Sequence, residues 1–364
     1  MNEPSTATGS ALPKVSVIIP TYNRCEVGRV TLMHLLAQDY PDDRLEILVA
    51  DNSADGTPAM VRELAADSAV RIRLLFGDER LPAVKRNDAL RAATGDLALF
   101  MNDDVWVGPD FVRRHVEAHA RHDGPVAVIG RVEQSTLMPD DPFINWYRPF
   151  AYDEIADRAG QAVSYRYHWS MNLSLPRRTM LDRNLVFHQD WAHIGHEDVE
   201  LGYRWTRAGY PVVYEPAAFG QHFHPHGLAS ACRLQESIGR GLRDLEVLIP
   251  EPDLLERYGV LSRTASRRGR IRMTVRNAMF NRVTVPPLRW ALRDGSALAD
   301  TRFARWAFWK IMLHSTERGY RSEPRRSPSP TMTRPAPIPT ADPAAAVVGH
   351  VSADPTRPWA GEPV

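Results

Sequence analysis

Short runs of β-branched and aliphatic residues, each closed by a polar cluster, recur through the first part of the chain. Val15–Pro20 (VSVIIP), Leu45–Asp51 (LEILVAD), Val70–Phe76 (VRIRLLF), Asp96–Asp103 (DLALFMND) and Pro125–Val132 (PVAVIGRV) are short and mainly apolar, with Val and Ile in all but the fourth. That combination predicts buried strands rather than helices. Between them, Val27–Gln38, Pro58–Asp67 and Ala83–Thr94 carry helical spacing. Strands alternating with helices of this length imply right-handed crossovers and a mainly parallel sheet covered by helices, a Rossmann-like α/β sandwich. Residues 133–168 are irregular and aromatic, after which Ser170–Leu175 and Pro211–Pro216 predict two more strands and Glu197–Ala208 a helix closed by Gly209. The alternation ends near residue 225; residues 232–320 read as mostly helical, and 324–364 hold 10 of the 29 prolines and predict a disordered tail.

Charge changes this picture. The formal net charge of +1 over 364 residues conceals a segregation: residues 1–260 carry 27 basic and 37 acidic side chains, and residues 261–326 carry 16 and 4. An acidic body therefore bears a basic appendage. Within it, Arg302–Leu313 is a basic, aromatic-rich helix candidate. Such a helix can lie on an anionic membrane surface, or pack on the acidic body. Cys25 and Cys232 are too few for a disulfide scaffold or a thiolate zinc site, no apolar run approaches a membrane span, and the N-terminus lacks the apolar middle of a signal peptide. The expected location is the cytoplasm, with attachment at the inner membrane surface as a variant of it.

Candidate chemistry sits at the strand ends, where parallel α/β sheets bind ligands. Neither a G-x-G-x-x-G fingerprint nor a G-x-x-x-x-G-K-[ST] loop is present, which weakens dehydrogenase and P-loop readings. Asn102-Asp103-Asp104 follows an apolar run and places adjacent carboxylates at the mouth of the sheet, suited to a divalent cation shared with phosphates; an Asx-capped turn explains the same letters. Asp51 ends a strand and can accept from a base or ribose, while Asp55 or Thr57 can simply cap the next helix. His196-Glu197-Asp198-Val199-Glu200 opens a helix, where acids favour the dipole and where a carboxylate facing a cleft can act as general base. His222, His224 and His226 alternate after the last strand. A three-histidine zinc site and a single histidine completing an oxygen-rich site both remain open.

In order, VSVIIPTYNR from Val15, DNSADGT from Asp51, KRNDALRAATGDLALFMNDDV from Lys85 and GHEDVELGYRWTRAGYPVVYEP from Gly195 resemble the family 2 glycosyltransferases of the GT-A fold. The resemblance covers roughly the first 225 residues. It implies an inverting enzyme that uses a nucleotide-diphosphate sugar, a divalent metal (Mg2+ or Mn2+) and a hydroxyl-bearing acceptor, whether glycan, lipid-linked or small molecule. Together with the patterning above, this divides the chain into a flexible leader at 1–13, a GT-A catalytic domain at 14–230 split near 132 into nucleotide and acceptor halves, a helical basic extension at 231–323 and a Pro-rich disordered tail at 324–364. Position by position, Pro20, Tyr22, Asn23 and Arg24 match the segment lining the nucleotide pocket, Asp51 the acid contacting the base, and Arg86 the basic residue near the nucleotide. Asn102-Asp103-Asp104 sits where the family has its D-x-D motif. Asp104 matches the metal ligand and Asp103 lies near the ribose or the metal. Asn102 departs from the commonest all-Asp triplet, as in a branch with rhamnosyltransferase-like members.

The resemblance further matches Asp198 to the catalytic base, Glu197 to its acceptor-side neighbour, and either His222 or His224 to the histidine of the metal site. Trp169, Trp191 and His193 are candidates for the acceptor wall, since aromatic faces pack on sugars. The processive members' Q-x-x-R-W motif is missing, which favours transfer of a single sugar. Two other classes compete. A nucleic-acid binder acting through the basic region lacks a reading motif, and no nucleic-acid partner is expected. A sugar nucleotidyltransferase needs a Gly-rich loop, and Pro20–Arg24 contains no glycine.

Overall fold

The computed structural model describes residues 12–324, apart from 79–80, 149, 151, 192, 252–253, 261–265, 294–295 and 297. The expected leader and tail lie almost wholly outside the described residues. Nine strands are described: β1 (Val15–Thr21), β2 (Leu45–Asp51), β3 (Arg71–Phe76), β4 (Leu97–Met101), β5 (Val105–Val107), β6 (Ala127–Gln134), β7 (Ala162–Val163), β8 (Asn172–Pro176) and β9 (Val212–His222). Helices of the sheet region are α1 (Cys25–Leu36), α2 (Thr57–Asp67), α3 (Pro82–Ala92), α4 (Phe111–Ala120), α5 (Pro142–Trp146), α6 (Arg177–Asp182) and α7 (Glu197–Arg207). Beyond them come α8 (Leu228–Leu248), α9 (Leu254–Arg257), α10 (Arg267–Met279), α11 (Val285–Ala291) and α12 (Arg302–Ser322).

The strands form one sheet in the order β3-β2-β1-β4-β8-β6-β9-β5, with β7 also on β9. From β3 to β4 all pairings are parallel, as the alternating pattern predicts. Burial follows, since β2 and β4 are covered on both faces along their whole length and β3, at the edge, begins and ends exposed. Beyond β4 the sheet is mixed. β8 runs antiparallel to β4 and β6, β5 runs antiparallel to β9, and β6 pairs with β9 in parallel.

Strand β9 extends past the expected end at Pro216. Its register with β6 jumps from Gly130↔Glu215 to Arg131↔Phe219, so residues 216–218 bulge out and the strand resumes to His222. That resumed stretch pairs with β5, Val105 opposite His222.

The basic region packs on the sheet domain through α8 and α12. Phe308, Ala307 and Ile311 of α12 join Leu228 and Ala231 of α8 and Phe143 of α5 in a second apolar cluster. Gly239 of α8 and Gly319 of α12 let the two backbones touch, because a Cβ at either would run into the other helix's carbonyl. Buried Arg276 of α10 pairs with Glu317 of α12 at 3.3 Å. Among the described residues no helix is long and apolar enough to cross a membrane.

Candidate active site

Two loops at the ends of β1 and β2 hold each other. Asn23 takes a left-handed backbone, φ 53°, which aims its amide at Ser53 Oγ (2.6 Å) while its Oδ1 accepts from the Ala54 amide (3.0 Å). Asp51 is 2 % exposed; its Oδ1 accepts from the Ser53 amide (3.1 Å) and hydroxyl (2.5 Å), and its buried Oδ2 has no hydrogen-bond partner. A buried carboxylate oxygen with spare acceptor capacity is suited to a donor arriving with a ligand. Asp55 Oδ1 accepts from the Thr57 amide and hydroxyl, so this acid serves the turn that opens α2. Pro20 is half-buried and Tyr22 is 45 % exposed. Lys85, buried in α3, donates to Thr21 O (2.6 Å) and Asn52 Oδ1 (2.5 Å) and lies 5.9 Å from the Tyr22 ring. The sequence reading did not select it, although a lysine beside Arg86 on an inward helix face was the available signal.

Asp104 sits where β4 turns into β5. Because β5 pairs with the end of β9, His222 arrives beside it, and the Phe223 amide donates to Asp104 O (2.8 Å). Asp104 Oδ1 lies 3.2 Å from His222 Nε2, and Oδ2 lies 2.6 Å from His224 Nδ1. The structure thus brings both alternative histidines to the same carboxylate, all three donor atoms falling within 4.8 Å of one another. His226 stacks on His224, centroids 3.8 Å apart, and turns its Nδ1 to Ser230 Oγ.

Arg24 reaches into the same cluster: its Nη2 is 2.5 Å from Asp104 Oδ2 and 2.8 Å from His224 Nδ1, and its Nε is 3.5 Å from Asp103. The cluster thus already holds a guanidinium, set against the Asp104 and Asp103 carboxylates and the His224 imidazole. Its oxygen and nitrogen donors fit Mn2+ or a similar divalent ion. Burial works against charge on Asp104, but His222 and His224 outweigh it and hold the carboxyl well below its usual range. Asp103, half-buried, is pushed up to about 6 by desolvation first and by the neighbouring Asp104 charge second.

The second acidic pair opens α7. Asp198 is half-buried; its Oδ2 accepts from the Ser170 amide (3.0 Å) and hydroxyl (3.2 Å), and its Oδ1 from the Val199 amide (2.8 Å). Burial, and then the charge of Glu197, pushes its carboxyl up to about 6. Glu197 is buried against Arg86, Nη1 to Oε1 2.9 Å, and Arg86 Nη2 also reaches Asn102 Oδ1 at 3.4 Å. Arg86 therefore joins the two acidic segments. The sheet joins them as well. Met101, just before the Asn102–Asp104 triplet, pairs with Asn172, two residues from the Ser170 that anchors Asp198.

A sequence profile described as "Glycosyltransferase like family 2" matches residues 13–237, more than half of the chain. The chain belongs to this glycosyltransferase family. Among curated proteins, validoxylamine A glucosyltransferase of Streptomyces hygroscopicus subsp. limoneus is 27% identical over 277 residues, covering 68% of this chain and 60% of the relative. The matched part thus spans three fifths of that relative's length. Succinoglycan biosynthesis protein ExoM of Rhizobium meliloti is 33% identical over 219 residues, covering 59% of this chain and 69% of its own. Among solved structures, the mannosyltransferase PcManGT from Pyrobaculum calidifontis, in complex with GDP-Man and Mn2+, superposes with a TM-score of 0.57 at 21% identity, covering 85% of this chain and 87% of that one. This likeness shows the GT-A fold.

In this family 2 chain the acceptor-side candidates separate. Trp169, 8 % exposed, packs edge-on to Tyr152 (centroids 5.1 Å) and against Phe150 (5.3 Å), which in turn lies 6.1 Å from the His222 ring. Trp191 is a correction: it is 1 % exposed, its indole donates to Gly195 O, and it belongs to the core rather than to a ligand-facing wall. His193 faces Glu323 at 3.5 Å, at the end of the C-terminal region. Ser170 was missed, because a single hydroxyl at a strand entrance carries no pattern.

Proposed function

We propose that the chain transfers a single hexose from a nucleotide-diphosphate sugar to a hydroxyl acceptor, with inversion at the anomeric carbon and Asp198 as general base. The observation that carries this reading is the pair of acidic segments linked through Arg86 at one end of the sheet. One bears a cation-holding cluster and the other a carboxyl kept basic by burial.

The nucleotide lies against the Pro20–Arg24 and Asp51 loops, with Asp51 Oδ2 accepting from the base or ribose and Tyr22 and Arg24 at the rim. Asp104, His222 and His224 would hold a divalent cation, which supplies neutralisation of the charge developing on the leaving diphosphate. The acceptor oxygen attacks the anomeric carbon as the bond from that carbon to the diphosphate oxygen breaks, and Asp198 takes the hydroxyl proton. A raised carboxyl pKa matches that task, because a more basic carboxylate accepts the proton more readily. Asp198 is aligned by the Ser170 amide and hydroxyl. Glu197 and Arg86 fix its helix, and Asn102 keeps that link without adding a third negative charge to the triplet. Trp169 and Phe150 line the acceptor side.

The relative named for a glucosyltransferase supports a hexosyl donor, and the neighbour solved with Mn2+ supports the cation. A thermal-shift screen of nucleotide sugars with Mg2+ or Mn2+, followed by NMR of the product anomer, tests the reading. Stabilisation by one donor and a product of opposite anomeric configuration are expected. A product with the donor's configuration, or no donor that stabilises the chain, would overturn it.

A further inference from the structure

The C-terminal helices expose apolar side chains that their own packing leaves uncovered. Helix α10 buries Gly269, Met273 and Arg276 on one side, yet Ile271 (58 %), Val275 (51 %) and Met279 (53 %) stand exposed on the other. Their spacing of four residues makes a stripe along the outward face. Arg267, Arg268, Arg270 and Arg272 are exposed on the same helix. The start of α12 repeats the composition, with Phe303 (54 %) and Trp306 (45 %) exposed between Arg302 and Arg305. The two patches adjoin, because the Trp306 ring lies 5.3 Å from Phe280 at the end of α10. Trp290, 68 % exposed with Arg293 stacked 4.3 Å from its ring, belongs to the helix between them. Among the described residues 266–313 the one acid is Asp300.

We infer that this face, formed by α10, α11 and the start of α12, docks the protein on an anionic lipid bilayer surface. Apolar side chains between arginines suit the boundary between headgroups and acyl chains. There the hydrocarbon is covered while each guanidinium stays among phosphates, and Trp is the side chain that boundary favours most. Charge complementarity selects this occupant. Pairing with the same face of a second copy would set arginines against arginines, since a two-fold interface meets its own patch. A nucleic acid would satisfy the arginines and leave the Ile271–Val275–Met279 stripe in water. The inward arginine, Arg276, is matched by Glu317 and takes no part, and Arg272 lies 4.0 Å from Glu256, so Arg267, Arg268 and Arg270 carry the charge of the α10 face. The inference stands apart from the transfer chemistry, which uses other residues.

Flotation of the full chain tests it, using vesicles of phosphatidylcholine alone and of phosphatidylcholine with phosphatidylglycerol. The chain should float with the anionic vesicles, stay in the dense fraction with the neutral ones, and lose flotation in high salt. Ile271→Asp with Val275→Asp, and separately Phe303→Ala with Trp306→Ala, should each lower the bound fraction at least about tenfold. Arg267→Gln with Arg268→Gln should lower it about fivefold per arginine. These positions are exposed, so circular dichroism should be unchanged, and Asp198→Asn should float like the parent, which separates this test from that of catalysis. No flotation with anionic vesicles, equal flotation with both kinds, or flotation that survives the paired substitutions would overturn the inference. So would a dimer in light scattering that dissociates in Ile271→Asp with Val275→Asp.

Discussion

The two acidic pairs, Asp103–Asp104 and Glu197–Asp198, look alike and differ in how they keep their counter-charge. In each, one carboxylate is matched by cationic or protonatable partners and its neighbour is pushed up to about 6, by burial first and by the adjacent charge second. Glu197 is matched by Arg86, and both side chains are nearly sealed, at 7 % and 6 % exposed. Asp104 is matched by Arg24, His222 and His224, whose side chains are 27 %, 16 % and 28 % exposed. A buried ion pair is costly to open, because the charge left behind has no water to turn to. Partners at the rim exchange easily. Under the proposed function, the first pair would trade one cation for another as ligand enters and leaves, and the second would hold the base still.

Substitutions can break that contrast. The largest effect belongs to Asp198→Asn, which should cut turnover by about 10²–10⁴-fold while leaving nucleotide affinity in calorimetry unchanged; equal turnover would remove Asp198 from the chemistry. Next, Asp104→Ala should weaken Mn2+-dependent nucleotide binding by at least about 100-fold, and His226→Ala, whose ring turns to Ser230, should not. Third comes stability. Arg86→Met should lower the unfolding free energy by about 3–5 kcal/mol, because Glu197 is left buried and unmatched. Arg24→Ala should cost clearly less than Arg86→Met, because Arg24 is only half-buried and Asp104 keeps His222 and His224 beside it. Chemical denaturation measures both, and a comparable loss in the two would erase the distinction.

The smallest effect is in the pH profile. As the proposed base, Asp198 would act only when unprotonated, and its raised pKa means that activity should decline as pH falls through about 6 rather than near the ordinary 3.8. Glu197→Gln removes the neighbouring charge that helps raise it, so the acid limb should move to lower pH. A limb that stays in place would leave burial as the cause.

The strands β1, β2 and β4 were legible because burial on both faces demands nearly continuous apolar runs, broken in β1 and β2 by the buried Ser16 and Glu46. The same logic failed at β5, whose three residues Val105–Val107 follow a turn and carry no period. It also failed at the far half of β9, where Pro216 reads as a stop. In the fold those residues bulge out and pairing resumes beyond them. That unseen pairing decided the Asp104–His222–His224 cluster. The alternation of histidines gave no choice between His222 and His224, and the β5–β9 register brings both to Asp104. The tryptophans show the opposite limit. Trp169 and Trp191 look equivalent in sequence, and long-range packing buries both in the main core, Trp191 almost completely and Trp169 beside Phe150 and Tyr152. The basic region read as either packed or membrane-facing; the structure packs one side of it and leaves aromatic and apolar side chains exposed on the other.

The most direct measurement is a crystal structure of the chain with Mn2+ and the nucleotide sugar that stabilises it best. An anomalous manganese peak among Asp104, His222 and His224, with the Asp198 carboxylate facing the anomeric carbon from the side away from the diphosphate, is the predicted result. Manganese bound elsewhere, or an Asp198 side chain opening onto a different surface from the bound sugar, would contradict the account.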